Sequence, residues 1–479
     1  MLLLLASYLF YSSWGMDFLL VLVASSLLNF VCGILLRRRP TIAYLGLGVA
    51  LNVLLLGIFK YLPPLIGTGS TVLWWQPEYL RHIAMPVGIS FWTFQGLSYL
   101  FDLYREEEVD PSLLEFCLFM AFWPIVLAGP VCRLPDMLPQ FRAEPKFSLE
   151  NISAGSLRII QGVVMKLVFA QILGSGLTSG AGVIAGFDHT TGGLGALDVW
   201  LLAIGFGFQL FFDFAGYSHI VIGTALLFGI QLPENFARPF LSPTPSVFWT
   251  RWHMSLSFWI RDYLFVPLAT LRRERWWPYV VFVISMTLFG LWHAAKWTFI
   301  LWGFYHGVLL IMHRLGQQLK RRFSIATPAH WGILLSSTAT FALVSLGWIF
   351  FRANNLSQAL SMFRSVLLPS AYLHLAMPRS FYVLIPFVVI AYFIHEELGR
   401  LLGQWRAHYT LSGATNVTSR TRSGEVSAGA LAWELFEFCA VRMWWWLTPT
   451  IFVLTFFIGL AILNRSSVVK VTPFMYTVF

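Results

Sequence analysis

Charged residues are scarce in this chain, at 11% of 479 residues against roughly 25% in a soluble domain. Hydrophobic residues make up 57% and the mean hydropathy is +0.70. A soluble fold could not bury that much apolar surface, and long Leu- and Phe-rich runs do not match the alternating strands of a membrane β-barrel. Runs near the ~20 residues that span a bilayer recur throughout. The sequence therefore predicts an all-α polytopic membrane protein.

Several enzyme motifs are also absent. The sequence has no Walker loop, GxSxG elbow or CxxCH motif, which argues against ATP hydrolysis, serine hydrolysis and haem chemistry. The four cysteines are scattered without CxxC or Cys/His spacing: Cys32, Cys117, Cys132 and Cys439. We therefore expect no zinc site, no disulfide framework and no bound cofactor.

The net charge of +10 does not indicate nucleic acid. Basic residues cluster in short loops between apolar runs, at Arg37-Arg38-Arg39, Arg272-Arg273 and Lys320-Arg321-Arg322. The positive-inside rule places such loops on the cytoplasmic side of a bilayer. The lipid bilayer thus accounts for the charge pattern.

Apolar runs define candidate spans at about 2–13, 16–36, 41–60, 84–103, 112–131, 154–174, 196–230, 277–292, 296–315, 330–351, 380–400 and 440–463. The run 196–230 is either two segments or one long helix. Prolines, aromatics and charges alternate in 232–276, which predicts short re-entrant or interfacial helices. The polar, Ser/Thr-rich segment 405–430 predicts a loop outside the membrane. Without internal repeats or a soluble domain, 1–479 is expected to form one membrane domain.

Two Trp-His pairs lie in the most apolar stretch: Trp252-His253 and Trp292-His293. Burying an ionisable group at membrane depth is costly, and histidine exchanges a proton near neutral pH. A continuous helix over 288–302 would put Lys296 and Trp297 on the same side as His293. An aromatic wall would keep its imidazole neutral and able to take a proton from a hydroxyl. The alternative is a buried histidine bonded to a backbone carbonyl.

The pair Trp252-His253 lies in the irregular region 232–276, close to Arg251, Arg261 and Asp262. His253 could position substrate, stabilise an oxyanion or serve a purely structural role. Because arginine is always charged, the structural interpretation pairs Arg251 or Arg261 with Asp262 or Glu234.

Asp213 is a lone carboxylate in a span, and Tyr217 at i+4 could donate a hydrogen bond to it. That pair would support the site or pin two helices together. Arg133 and Arg352 end apolar runs, where each either extends to the interface or binds an anionic donor.

Two further histidines are interpreted as packing residues. His306 follows His293 by thirteen positions, which on one continuous helix turns it to a different face. His313 lies near a predicted helix end.

Seven motifs resemble, in order, the membrane-bound O-acyltransferase (MBOAT) family, and most closely its bacterial branch with the alginate O-acetyltransferase membrane subunit. They are MPVGISFWTFQGLSYLFDLYR, FWPIVLAGPVCR, FFDFAGYSHIVIG, PENFARPF, FWTRWHMSLSFWIRDYLFVPL, GLWHAAKWTFILWGFYHG and WIFFRANNLSQAL. They cover the chain to about residue 360. Two departures are Ala294 where the family motif has glycine, and His219 where the alginate-type motif commonly has aspartate.

The resemblance implies a ring of about eleven transmembrane helices around a thin centre, with an outer funnel and a cytoplasmic tunnel. It implies that His293 is catalytic and that His253 is the second active-site residue. It also implies transfer of an acyl group from a cytoplasmic thioester, acetyl-CoA or a carrier-bound acyl group, to a hydroxyl outside.

The resulting hypothesis is acetyl transfer across the bacterial inner membrane to an exopolysaccharide or a periplasmic partner. His293 would be the general base, helped by His253. Supporting roles are expected for Arg251, Trp252, Arg261, Asp262, Trp292, Asp213 and Tyr217. The expected partners are a periplasmic acetyltransferase and polysaccharide synthesis machinery. D-alanyl or longer-acyl transfer is an alternative, as is a transporter or flippase of a lipid or glycan intermediate.

Overall fold

A computed structural model describes residues 1–63, 84–144, 148–177, 181–188, 193–323 and 329–417. Within these ranges the chain is helical, and its only β-type pairing is one isolated bridge between Phe236 and Trp252. The helices are α1 (Leu2–Ser12), α2 (Met16–Arg38), α3 (Ile42–Tyr61), α4 (Ile89–Tyr104), α5 (Leu113–Ala121), α6 (Leu134–Arg142), α7 (Leu149–Ser175), α8 (Val183–Asp188), α9 (Ala196–Leu227), α10 (Pro245–Trp249), α11 (Met254–Ile260), α12 (Val266–Ala269), α13 (Trp277–His293), α14 (Trp297–Arg322), α15 (Ala329–Arg352), α16 (Leu356–Leu367) and α17 (Arg379–Val417).

Seven of the described helices are long and apolar enough to cross a membrane: α2, α3, α7, α9, α14, α15 and α17. The shorter α1 and α13 are also apolar. The predicted class, an all-α polytopic membrane protein, is confirmed. Turns of π-helix close α3 at Gly57–Tyr61 and interrupt α7 at Met165–Ala170.

The structure decides the predictions for three segments of the chain. The run 196–230 is one long helix, α9, rather than two segments. The predicted span 112–131 is wrong, because α5 ends at Ala121 and a series of turns follows. Pro124 lies in those turns and has no N–H to continue a helix. Segment 232–276 folds as short helical pieces, including a 3₁₀ turn at Pro239–Leu241.

The described residues include only part of the C-terminal region for which predictions were made. Helix α17 continues to Val417 and so enters the predicted polar segment 405–430. The rest of that segment and the run 440–463 lie outside the described residues.

The chain divides into two compact units. The first contains Met1–Val168 and Phe211–Ser361; the second contains Phe169–Leu210 and continues from Met362. In the second unit, buried Asp198 accepts hydrogen bonds from the Tyr382 hydroxyl and from the backbone N–H groups of Gly195 (2.8 Å) and Ala376 (2.9 Å). The Trp-His pairs belong to the first unit.

Helices α13 and α14 approach each other closely through glycines. A Cβ added to Gly303 would lie 2.0 Å from the Met286 carbonyl oxygen, and one on Gly290 would lie 2.1 Å from the Phe299 carbonyl oxygen. Small residues permit this backbone contact between membrane helices. The two helices can therefore reverse direction over only three residues, 294–296.

Gly303→Ala should destabilise the protein, because the added methyl overlaps the α13 backbone and overpacking costs about 1–3 kcal/mol. Gly316→Ala is the matched control on α14, since a Cβ at that position would have no neighbouring atom within 4 Å and alanine favours helix by up to ~1 kcal/mol. Thermal unfolding in detergent should give a lower midpoint for the first variant and an unchanged or higher one for the second. Equal shifts would contradict the close crossing.

Candidate active site

His293 ends α13 inside a shell of aromatic rings. Its side chain is 6% exposed. Its ring centroid lies 4.8–6.1 Å from those of Phe289, Trp292, Phe299, Trp302 and Phe351. Such apolar surroundings disfavour the charged imidazolium and exclude water. The geometry suits a neutral imidazole that accepts a proton from a substrate placed against it.

The continuous helix predicted over 288–302 is wrong. Ala294 is extended (φ −159°, ψ 151°) and Lys296 is also extended, so a new helix starts at Trp297. Lys296 is exposed and Trp297 is 72% exposed. Neither shares the buried side of His293, because the chain reverses between them.

The expectation that His306 faces away from His293 is wrong for the same reason. Both imidazoles pack against Trp302, at centroid distances of 5.4 Å for His293 and 5.1 Å for His306. His306 is fully buried, also contacts Trp249 at 5.1 Å, and its ring nitrogens have no hydrogen-bond partner within the described ranges. A Cβ on Gly347 would lie 2.8 Å from Nε2 of His306, so α15 closes this side of the cluster.

His253 occupies a strained position before α11. Its φ is +43° and ψ is 54°, a left-handed conformation that is uncommon for residues other than glycine. The side chain is 2% exposed and packs edge-on against Phe214 at 4.6 Å. Neither of its nitrogens is hydrogen-bonded to any described residue. Strain and an unsatisfied buried imidazole are both features of functional sites.

Aromatic contacts connect the two Trp-His pairs. Trp252 lies 5.0 Å from Trp348, which stacks on Trp302 at 6.1 Å. Trp302 in turn contacts His293, and His253 directly follows Trp252 in the chain. The structure thus brings Trp252, His253, Trp292 and His293 into one aromatic cluster.

A network centred on Asn235 holds the His253 turn. The Met254 N–H donates to the Asn235 carbonyl oxygen (2.9 Å), and the Ser255 hydroxyl donates to Asn235 Oδ1 (2.6 Å). Asn235 Nδ2 donates to Ser218 Oγ at 3.1 Å. Sequence reasoning missed Asn235, although an uncharged polar residue inside the motif PENFARPF was a usable signal.

Asp262 is the centre of a basic cluster. Arg133 and Arg261 donate to its carboxylate at 2.5 Å and 2.6 Å, and Arg105 donates to its carbonyl oxygen at 2.7 Å. Burial alone would raise the pKa of Asp262, but the hydrogen bonds from Arg261 and Arg133 hold that pKa below its ordinary value. The predicted Arg261–Asp262 pair is confirmed, and Arg133 joins it.

The predicted partner of Asp213 is wrong. Asp213 pairs with Lys166 of α7 rather than with Tyr217. Gly162 and Gly216 bring α7 and α9 together, since a Cβ on Gly162 would lie 2.4 Å from the Gly216 carbonyl oxygen. The carboxylate therefore finds a lysine across the helix interface, which sequence spacing within α9 could not reveal.

Two other charges also have partners that were not predicted. Glu234 pairs with Arg158, whose Nε also donates to His219 Nδ1 at 3.1 Å. Arg251 forms no ion pair with a carboxylate of the described residues and reaches only the Leu241 carbonyl oxygen, at 3.5 Å.

Lys60 of α3 was not singled out from the sequence but lies beside the site. Its Nζ is 4.6 Å from the Trp292 ring centroid and donates to Ser90 Oγ at 3.0 Å. The neighbouring Tyr61 hydroxyl donates to the Leu291 carbonyl oxygen at 3.2 Å. The signal was a lone lysine in an apolar span.

Residues 71–353 match the membrane-bound O-acyltransferase family, a range that contains both Trp-His pairs. The chain belongs to this family. Residues 430–479 match a family of unknown function, DUF5989. Family membership makes the protein a membrane O-acyltransferase, and sets aside the transporter hypothesis.

The names of similar proteins refer to alginate, peptidoglycan and teichoic acid. This O-acyltransferase is 38% identical to the probable alginate O-acetylase AlgI of Pseudomonas aeruginosa, covering 76% of this chain and 69% of that protein. It is 32% identical to the peptidoglycan O-acetyltransferase of Helicobacter pylori over a match that covers 76% of this chain and 73% of that protein. The teichoic acid D-alanyltransferase of Streptococcus thermophilus is 34% identical over a match that covers 47% of this chain and 56% of that protein.

The strain at His253 predicts an unusual order of variant stabilities. His253→Gly should unfold at a higher temperature than His253→Ala, because left-handed backbone costs an L-residue roughly 1–2 kcal/mol and costs glycine little. Ser257 within α11 is the control, where the glycine variant should be less stable than the alanine variant by about 1 kcal/mol. The same order at both positions in detergent melting would show that residue 253 is unstrained.

Proposed function

We propose that this O-acyltransferase moves an acetyl group from a cytoplasmic thioester to a hydroxyl on the outer side of a bacterial inner membrane. The observation that carries the proposal is the imidazole of His293, enclosed by aromatic rings at a helix end. The acetylating relatives support the choice of acyl group.

His293 acts as the general base in this mechanism. Its imidazole takes the proton of the acceptor hydroxyl as that oxygen attacks the thioester carbonyl carbon. The tetrahedral intermediate then collapses and the carbon–sulfur bond breaks. His293 returns the proton to the departing sulfur, which leaves as the thiol. His253 stabilises the developing oxyanion or orients substrate from the other end of the cluster.

The donor is a substrate and not a resident cofactor. We propose acetyl-CoA or an acyl-carrier thioester, entering a ring of about eleven transmembrane helices through a cytoplasmic tunnel. The acceptor is an exopolysaccharide or a periplasmic acetyltransferase that works with polysaccharide synthesis machinery. The names of the relatives, which cover alginate and peptidoglycan, support a polysaccharide as the final acceptor.

His293→Ala in proteoliposomes should reduce transfer of labelled acetyl from acetyl-CoA to polysaccharide by about 10²- to 10⁴-fold, the usual contribution of a general base. His313→Ala is the control, since this half-buried residue of α14 lies outside the cluster. Mass spectrometry of the acceptor separates an acetyl product from a D-alanyl product. Wild-type transfer by the His293 variant would refute the assignment.

A further inference from the structure

Lys60 carries an unusual charge for a membrane span. The basic residues of the α7 span have acidic partners, since Lys166 pairs with Asp213 and Arg158 with Glu234. Lys60 forms no ion pair with any carboxylate in the described part of the chain; its contacts there are Ser90 and Trp292. The Lys60 side chain is half-buried, and an ammonium at membrane depth without a counter-charge is costly, so its position needs an explanation.

Hydrogen bonds of Lys60 and of the neighbouring Tyr61 hold Lys60 in place. The π-helical turn Gly57–Tyr61 ends α3, and such turns often occur at functional sites. The Tyr61 hydroxyl fastens this turn to the Leu291 carbonyl oxygen, two residues before His293. Ser90, which accepts from Lys60, is 2% exposed. The ammonium is thereby fixed against the last turn of α13.

Charge patterning places this end of α13 on the outer side of the membrane. Helix α2 ends at the basic residues 37–39 and α14 ends at 320–322, which the positive-inside rule assigns to the cytoplasm. The next helix, α3, therefore runs outward, and α13, which precedes α14 and is antiparallel to it, also runs outward. Lys60 and His293 both lie at outward-facing helix ends, where an external acceptor arrives.

Lys60 and His293 are neighbours through Trp292. The Lys60 Nζ lies over Trp292, whose ring centroid is 4.8 Å from that of His293. The ammonium and the imidazole therefore contact the same aromatic ring. A group held by Lys60 is therefore a neighbour of the reacting hydroxyl on the same acceptor, and not the hydroxyl itself.

We propose that Lys60 binds the carboxylate of an acidic sugar acceptor beside the hydroxyl that receives the acyl group. This proposal rests on the proposed function. Trp292 provides the apolar face on which a sugar ring packs, and Lys60 provides the charge-assisted hydrogen bond that selects an acidic sugar over a neutral one.

Binding of a uronic-acid oligosaccharide to the purified protein, measured by calorimetry, tests the proposal without requiring turnover. Lys60→Met should weaken binding at least about tenfold, the loss expected for one charge-assisted hydrogen bond. Lys60→Arg should retain most of the affinity. Lys320→Met, which removes an exposed lysine at the opposite end of α14, is the matched control and should bind as the wild type does.

A carboxyl-reduced, neutral form of the same oligosaccharide should bind wild type and Lys60→Met equally. The melting temperature of Lys60→Met should be unchanged or higher, since the variant removes a half-buried charge that has no carboxylate partner among the described residues. Equal affinity of wild type and Lys60→Met for the acidic oligosaccharide would overturn the proposal. So would an equal loss for both oligosaccharides, which indicates a structural role.

Transfer assays separate this proposal from the proposed function. Lys60→Met should raise KM for the acidic acceptor about tenfold, in line with the loss of one charge-assisted hydrogen bond, and leave hydrolysis of the thioester donor unchanged. A fall in donor hydrolysis would instead assign Lys60 to the oxyanion of the intermediate and overturn the acceptor role. If the wild type binds the oligosaccharide through Lys60 yet acetylates nothing, the proposed function fails while the binding site stands.

Discussion

The backbone contact between α13 and α14 is the constraint on which the site depends. Gly290 and Gly303 allow the helices to meet without intervening side chains, so three residues suffice to reverse the chain. The reversal leaves His293 as the last residue of α13, facing Trp302 on α14. Any larger residue at the crossing would separate the helices and open the aromatic shell to water.

Polar groups in this apolar cluster are few, and their burial is expensive. His253 and His306 each bury two ring nitrogens that have no hydrogen-bond partner among the described residues, at about 1–3 kcal/mol for each unsatisfied group. His253 adds backbone strain. The hydrogen bonds around Asn235 offset part of that cost and fix the strained turn. In the proposed function, bound substrate supplies the missing hydrogen-bond partners.

The sequence predicted the helical class and the Trp-His pairs, but not how the helices meet. Apolar runs are readable because bilayer thickness dictates their length, and α9 emerged as one helix within the predicted run. The reversal after His293 was not readable, because Ala294 and Lys296 favour helix as well as many residues do. Asp213 was assigned a partner on its own helix because its true partner, Lys166, lies on another. Contacts of this kind depend on tertiary packing, which local spacing does not encode.

In the proposed mechanism His293 contacts the acceptor hydroxyl and lies beside the thioester carbonyl that this hydroxyl attacks. A cryo-EM structure with a non-transferable acetyl thioester analogue tests this most directly. We expect density for the acyl carbonyl against the His293 imidazole, inside the shell formed with Trp302, Phe299 and Phe351. Density for the acyl group at another place in the protein, with His293 still closed off by its aromatic neighbours, would contradict the mechanism.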